Sequence, residues 1–415
     1  MKSLMSVRAA IVAVVVLSSG LFAELQQVAE ASVALVSCPF CDAPTLLMAE
    51  QVQMCNHMVL GKWLGGDKPT ETSIGNSRFE ILHVAKSEND HFKVGQTIEM
   101  AQYIAGSEKA TYALMGMGER LEDWHPPMEV SAAGWKYLSE LPLPVTEPAK
   151  QTERLAFAID YLEHPDLLIS NDAYAEFAAA PYDVIVPLKD RFPREKLKLW
   201  LNNPETTVTR IGLYGLLLGL CGTEEDAAMM EKKIVVVDAD FRLGIEGVMS
   251  GFILIRGESG LKVLEDSKMK STTCVNAAGE TINLPFSETY AAMQTLRFLW
   301  TYEPDRIPKT RLKESMRTLL DRPDLADLVI TDLARWKDWE VQDRLMTMYS
   351  DENYSLPAVK RAIVRFLFHC SQEKPVEGPE GARIAELSQM AKDRLAELEK
   401  KDPKTVSDVK RYLVR

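Results

Sequence analysis

The sequence predicts an α+β chain of more than one domain, with a small β module followed by a much longer array of helix pairs. Three observations carry this. Between residues 51 and 117, short segments of alternating polarity are separated by Gly-bearing turns. From Ser131 onward the apolar spacing becomes helical and stays so. A glycine pattern also recurs at a fixed offset, positions 210 and 242 being 32 residues apart. Arg210-Ile211-Gly212-Leu213-Tyr214-Gly215 with Gly219 aligns with Arg242-Leu243-Gly244-Ile245-Glu246-Gly247 with Gly251. Such a period is the mark of stacked helix-pair repeats.

Residues 1–31 predict a secretory signal. Lys2 and Arg8 precede an apolar run, Ala9 to Ala23, and Ala29-Glu30-Ala31 supplies a small-x-small cleavage pattern. The run is shorter than the ~20 residues a membrane span needs, and Glu24 closes it. An uncleaved anchor is the alternative. Leu35-Val36-Ser37-Cys38 looks like a lipoprotein box, but Glu24 and Glu30 separate it from the apolar run. Export to the periplasm or beyond would place all six cysteines where disulfides persist. With 48 basic and 60 acidic residues, net charge −12, and no long basic stripe, the chain has no electrostatic grip on nucleic acid. No segment after residue 31 is apolar for long enough to span a membrane.

The β module is expected over residues 32–125. Strands are expected over Val52 to Leu64, over Arg78 to Ala85 with Phe79 and Ile81 on one side, over Thr97 to Ile104, and over Ala110 to Met117. Short strands with Gly-bearing turns suggest a small barrel or sandwich. An early cysteine cluster, these strands, and the turn-strand Val94-Gly95-Gln96-Thr97-Ile98 follow one another in an order that resembles the netrin/tissue-inhibitor type of OB-like barrel. The resemblance implies a small β-barrel. Cys38-x-x-Cys41 departs from the Cys-x-Cys more usual there.

Residues 126–150 are expected to be a linker with a short helix, and 151–370 the helical array. Gly212, Gly215 and Gly219, spaced i, i+3, i+7, share one helix face, as do Gly244, Gly247 and Gly251. Each costs ~1 kcal/mol of helix propensity against alanine, so close helix packing must compensate. A phosphate loop would instead need its glycines in a strand-to-helix turn. Further helices are expected from Ser287 to Pro304, after Arg311, over Asp324 to Trp336, Trp339 to Tyr349 and Pro357 to Cys370, with Lys268 to Pro285 as an inserted loop containing Cys274. The array resembles HEAT-type or armadillo-type solenoids, which implies a fold and no particular activity. Residues 371–383 read as a linker and 384–415 as an amphipathic helix and tail, with Ile384, Leu387, Ala391, Leu395 and Leu398 on one side.

Cys38-Pro39-Phe40-Cys41 is the one motif with intrinsic reactivity. At a helix start such a pair could exchange disulfides, the basis of a thiol-disulfide oxidoreductase reading. With Cys55 and His57 it could instead hold structural zinc, the Cys-x-His pair sharing one face of a strand. A structural disulfide from Cys55 to Cys38 or Cys41, pinning the N-terminus, is the third reading, and free thiols the fourth. Asp42 stands where haem attachment needs histidine. Cys221 and Cys370 lie in apolar helical runs and read as packing residues; His125 belongs to a turn beside a docked Trp124, and His164 and His369 to helix ends. No zinc-protease, nucleophile-elbow or Walker motif is present. The expectation is an exported, non-catalytic protein-binding scaffold without a cofactor.

Overall fold

The computed structural model describes residues 38–41, 43–117, 123–238, 241–374 and 377–413. The expected signal, residues 1–31, lies outside them, as does Asp42. Contacts divide the chain into a unit ending at Ile185 and another beginning at Val186.

The first unit opens with a short helix, α1 (Met48–Met54), where a strand was expected from Val52. Met, Ala, Glu and Gln are good helix formers, and Glu50 accepts a hydrogen bond from Leu47 N–H (2.7 Å) to close the first turn. The strands follow: β1 (His57–Gly65), β2 (Ser77–Ser87), β3 (Thr97–Met100), β4 (Thr111–Gly116) and β5 (Met128–Val130). They form one antiparallel sheet in the order β3-β2-β1-β4-β5. Val59 at its centre faces Val84 of β2 and Leu114 of β4. Among the described residues β3 and β5 are the end strands of this sheet.

Both faces of the sheet are covered. On one, Val59, Phe79, Ile81, Ile98, Tyr112 and Leu114 form a cluster of strand residues, covered in part by Phe92, Ile104 and Trp124 from the loops. Gly61 lies beside this cluster; a Cβ there would come 2.8 Å from Leu114 Cδ1. The other face carries Met58, Ala113, Met115 and Val130 against α1 and two later helices, α2 (Ala132–Glu140) and, after α3 (Pro148–Ala158), α4 (Leu167–Ala179). A four-residue helix, α5 (Tyr182–Ile185), ends the unit. Helices α3 to α5, expected to open the helical array, thus belong by contact to the sheet-bearing unit. Asp172 of α4 ties three helices together. It is 5% exposed and accepts hydrogen bonds from the Tyr137 hydroxyl (2.8 Å) and Met48 N–H (3.3 Å). Burial pushes its carboxyl up to about 6, the Tyr137 bond opposing and nearby Glu176 adding to the rise.

The second unit is helical: α6 (Arg194–Asn202), α7 (Ile211–Cys221), α8 (Glu224–Val235), α9 (Ile245–Arg256), α10 (Glu258–Leu264), α11 (Phe286–Tyr302), α12 (Lys309–Thr318), α13 (Ala326–Arg335), α14 (Gln342–Ser350), α15 (Pro357–Ser371), α16 (Pro379–Lys401) and α17 (Pro403–Leu413). Alternate helices stack, α7 on α9, α9 on α11, α13 on α15 and α15 on α17. The segment expected as an inserted loop carries a hairpin, β6 (Thr273–Val275) and β7 (Thr281–Asn283).

At α7 and α9 the packing is backbone on backbone. A Cβ on Gly215 would lie 2.6 Å from Val248 Cα, one on Gly219 would overlap Gly251, and one on Gly251 would overlap Gly215 O. The pairs ascend together along both helices, so α7 and α9 run parallel. Gly244 differs from expectation in standing ahead of α9, as its left-handed N-cap (φ +82°), though it too abuts Gly212. Around this seam Leu213, Leu216, Leu217, Val248, Phe252 and Ile253 are fully buried, at about 1.5–3 kcal/mol each.

Polar contacts repeat at nearly the same interval. Arg194 bonds Asp226, and Arg256 bonds Glu224, each across 32 residues; Arg297 bonds Asp332 across 35. Past the inserted hairpin the step lengthens to 46 for Arg242 with Glu288 and 50 for Ser315 with Glu265. Glu288, fully buried, takes both Arg242 (2.8 and 2.6 Å) and Lys268 (2.8 Å). Burial alone would raise its pKa, but the two cations hold it below the usual carboxylate range.

Two outcomes are expected in urea unfolding. Gly251→Ala should destabilise by about 2 kcal/mol or more despite alanine's better propensity, because a methyl there must push α7 away. Gly134→Ala in α2, whose added carbon meets nothing closer than 3.5 Å, should be neutral or stabilising. Equal effects would refute the close-packed seam. For Asp172 the folded pKa lies above the usual aspartate value, so its contribution is present below about pH 4 and lost as pH rises through about 6. Asp172→Asn is expected to flatten that decline, worth about 3 kcal/mol by pH 7; an unchanged pH profile would count against the buried carboxyl.

Candidate functional site

The sequence-selected cysteines divide differently from expectation. Cys38 and Cys41 are bonded to each other, with Cα atoms 5.4 Å apart, and Cys38 N–H donates to Ala178 O at the end of α4 (3.1 Å). The N-terminal segment is thereby tied down without Cys55. Cys55 is a free thiol, 1% exposed, at the C-cap of α1, where it packs with Ala49, Val52 and Met58. The expected bridge from Cys55 is corrected on this ground: its side chain is committed to the helix–sheet core, and its two candidate partners bond each other. Nor is the bridge at a helix start, since α1 begins only at Met48. The helix-dipole argument for a lowered thiol pKa therefore lapses.

The zinc set is likewise not assembled. Cys55 precedes β1 and does not share the strand with His57, whose Nδ1 accepts from Glu88 N–H (3.2 Å) and whose ring meets Phe92 edge-on at 4.9 Å. Among the described residues no group of three His, Cys, Asp or Glu side chains could hold a metal ion. Burial raises the remaining thiols, Cys221 to about 11 and Cys370 to about 12. Trp124 packs on Phe92 (5.4 Å) beside His125, and His164 Nδ1 accepts from Asp166 N–H next to the start of α4.

The most developed recess in the helical unit was not singled out from sequence. Two neighbouring cavities, of about 510 and 560 Å³, meet at a shared wall of Lys337, Trp339 and Glu373 and are together called the tryptophan groove. Trp300 of α11 stacks on Trp336 after α13, with centroids 4.3 Å apart and planes 6° from parallel. Trp339 meets Phe366 of α15 edge-on at 5.1 Å. Lys309 Nζ stands 5.0 Å from the centre of the Trp300 ring, a cation–π distance.

The turn between Trp336 and Trp339 is built on an unusual residue. Lys337 has φ +52°, the left-handed position that ends a helix and ordinarily falls to glycine. Lys337 N–H bonds Ala334 O (3.1 Å) and Asp338 N–H bonds Leu333 O (2.8 Å), the paired closure of a Schellman cap. Asp338, 2% exposed, is held by Arg317 through two bonds of 2.7 and 2.5 Å. Lys337 itself reaches Glu373 (2.9 Å). Strain of this kind persists only where surrounding contacts over-determine it, and here it fixes the spacing of two indoles. Three of the chain's seven tryptophans falling between 300 and 339 was the legible signal; nothing in the sequence marks Lys337 as left-handed.

Comparison with protein-family models, with curated proteins and with solved structures gives no match. No helix among the described residues is long and apolar enough to cross a membrane.

At pH 8 the folded protein is expected to react only slowly with a thiol reagent and to expose four thiols on unfolding; peptide mapping that joins Cys55 to Cys38 or Cys41 would contradict this pairing. Lys337→Gly should be neutral or stabilising by up to about 1 kcal/mol, trading strain for an exposed ion pair. Lys337→Val should cost about 2 kcal/mol. A destabilising glycine would mean that the turn is not strained.

Proposed function

We propose that this chain is an exported, non-catalytic scaffold whose helical unit binds another protein in the tryptophan groove. The groove itself carries the reading: a half-buried Trp300 stacked on the buried Trp336, beside a turn held by a strained cap and by Arg317 on the buried Asp338, with cations at the rim, matches the composition of protein-contact surfaces. The helical unit is read as a HEAT-like solenoid, supported by parallel α7 and α9 and by contacts repeating across 32 to 35 residues. The sheet is read as an OB-like barrel opened between β3 and β5, supported by the order β3-β2-β1-β4-β5 and the apolar cluster on one face. The Cys38–Cys41 bridge supports a second reading, thiol–disulfide exchange, which insulin reduction by the purified protein would favour.

The test is affinity capture by the full chain from a cell-envelope fraction, beside Trp300→Ala. Proteins retained by the native chain and lost from the variant are the expected result. Identical retention by both, or robust hydrolase or transferase turnover by the purified protein, would overturn the proposal.

A further inference from the structure

We infer that the groove accepts an acidic peptide segment, one that alternates carboxylates with apolar side chains. This rests on the protein-binding reading above and adds the chemistry of the partner.

Charge balance points there. The groove is lined by seven Lys and Arg side chains against four Asp and Glu, in a chain whose net charge is −12. Three of those carboxylates are already neutralised: Asp338 by Arg317, Glu340 by Arg383 (2.6 Å) and Glu373 by Lys337. Of the four, Glu380 alone has no ion pair among the described residues. The cations are far less satisfied. Lys309, Arg365 and Lys374 have no ion-pair partner among the described residues, Lys313 donates to Lys337 O (3.3 Å) and lies near Glu340, and Arg335 has only a long contact to Asp332 (3.6 Å). A local excess of uncompensated positive charge thus sits on a chain that is negative overall. An acidic segment is drawn to this recess and repelled by the bulk of the molecule, which fixes where it docks.

The walls add the apolar half. Trp300 and Ile384 are half-buried, Trp300 with Lys309 over its ring, while Trp339, Phe366 and Leu387 are buried in the walls. Lys309 and Lys313 are one turn apart on α12, while Arg365 projects from α15. Cations therefore flank the indoles instead of forming the continuous stripe that a phosphate backbone requires. A peptide strand or helix whose carboxylates alternate with leucine-like side chains answers both features.

The test uses the full chain and a fluorescently labelled ten-residue peptide of alternating glutamate and leucine, read by anisotropy and by tryptophan emission. Comparators are the same peptide with glutamine or lysine in place of glutamate, and a ten-residue oligothymidylate. Saturable binding is expected for the glutamate peptide alone, weakened roughly tenfold or more by the double variant Lys309→Glu/Lys313→Glu. Unchanged thermal unfolding of that variant would show that the loss is not misfolding. Equal affinity for the glutamine peptide, unchanged affinity in the double variant, or oligothymidylate binding as tightly would overturn the inference. If envelope proteins lost from Trp300→Ala still bind the double variant fully, the acidic specificity fails while the protein-binding reading stands. If nothing is captured and no peptide binds, both fail.

Discussion

Where α7 lies along α9, the two backbones touch with no side chain between them. Gly215, Gly219, Gly247 and Gly251 give up helix propensity, at ~1 kcal/mol each, and gain an approach that any Cβ would forbid. The compensation comes from the large side chains on either side of the bare seam, which close over it and are excluded from water completely. Bringing α7 and α9 together in parallel forces α8 to return between their ends. That is the geometry of one helix pair laid on the next. Outside the seam, Arg194 ahead of α7 bonds Asp226 of α8, and Arg256 at the end of α9 bonds Glu224 at the start of α8.

Just after β6 and β7, the buried Glu288 at the start of α11 grips Arg242 and Lys268 together across the hairpin. Arg242 extends the grip, donating to the carbonyls of Lys233 (2.6 Å) and Val236 (3.0 Å) at the end of α8. A charge triad buried to this degree is costly to form and costlier to break, so it fixes register more than it adds stability. The groove further along draws on the same economy: one strained residue, Lys337, tolerated because Asp338 and Arg317 leave the turn no alternative.

The glycine seam was legible because glycine is informative wherever it recurs; the offset between Gly212 and Gly244 could be read directly, and both lie at the seam. The strands were legible from alternation around Phe79 and Ile81, whose burial in a single cluster follows from it. Three things were not. The helix at Met48–Met54 is too short to show a period, so Val52 passed for strand. Cysteine connectivity cannot be read from spacing, and the bridge closed within Cys38-x-x-Cys41 instead of reaching Cys55. The unit boundary near Ile185 depends on which core α3 to α5 join, a tertiary matter that helical periodicity does not encode. The groove falls between these cases: its tryptophans were visible, but their convergence needed the left-handed turn.

Native-state hydrogen exchange followed by mass spectrometry addresses the seam most directly. If α7 and α9 are one nested pair, their amides should exchange together, in a single opening whose free energy approaches that of unfolding the helical unit. Amides of α9 that exchange in a separate, lower-energy opening while α7 stays protected would show that the two helices do not depend on each other, and the account of the helical unit would fail.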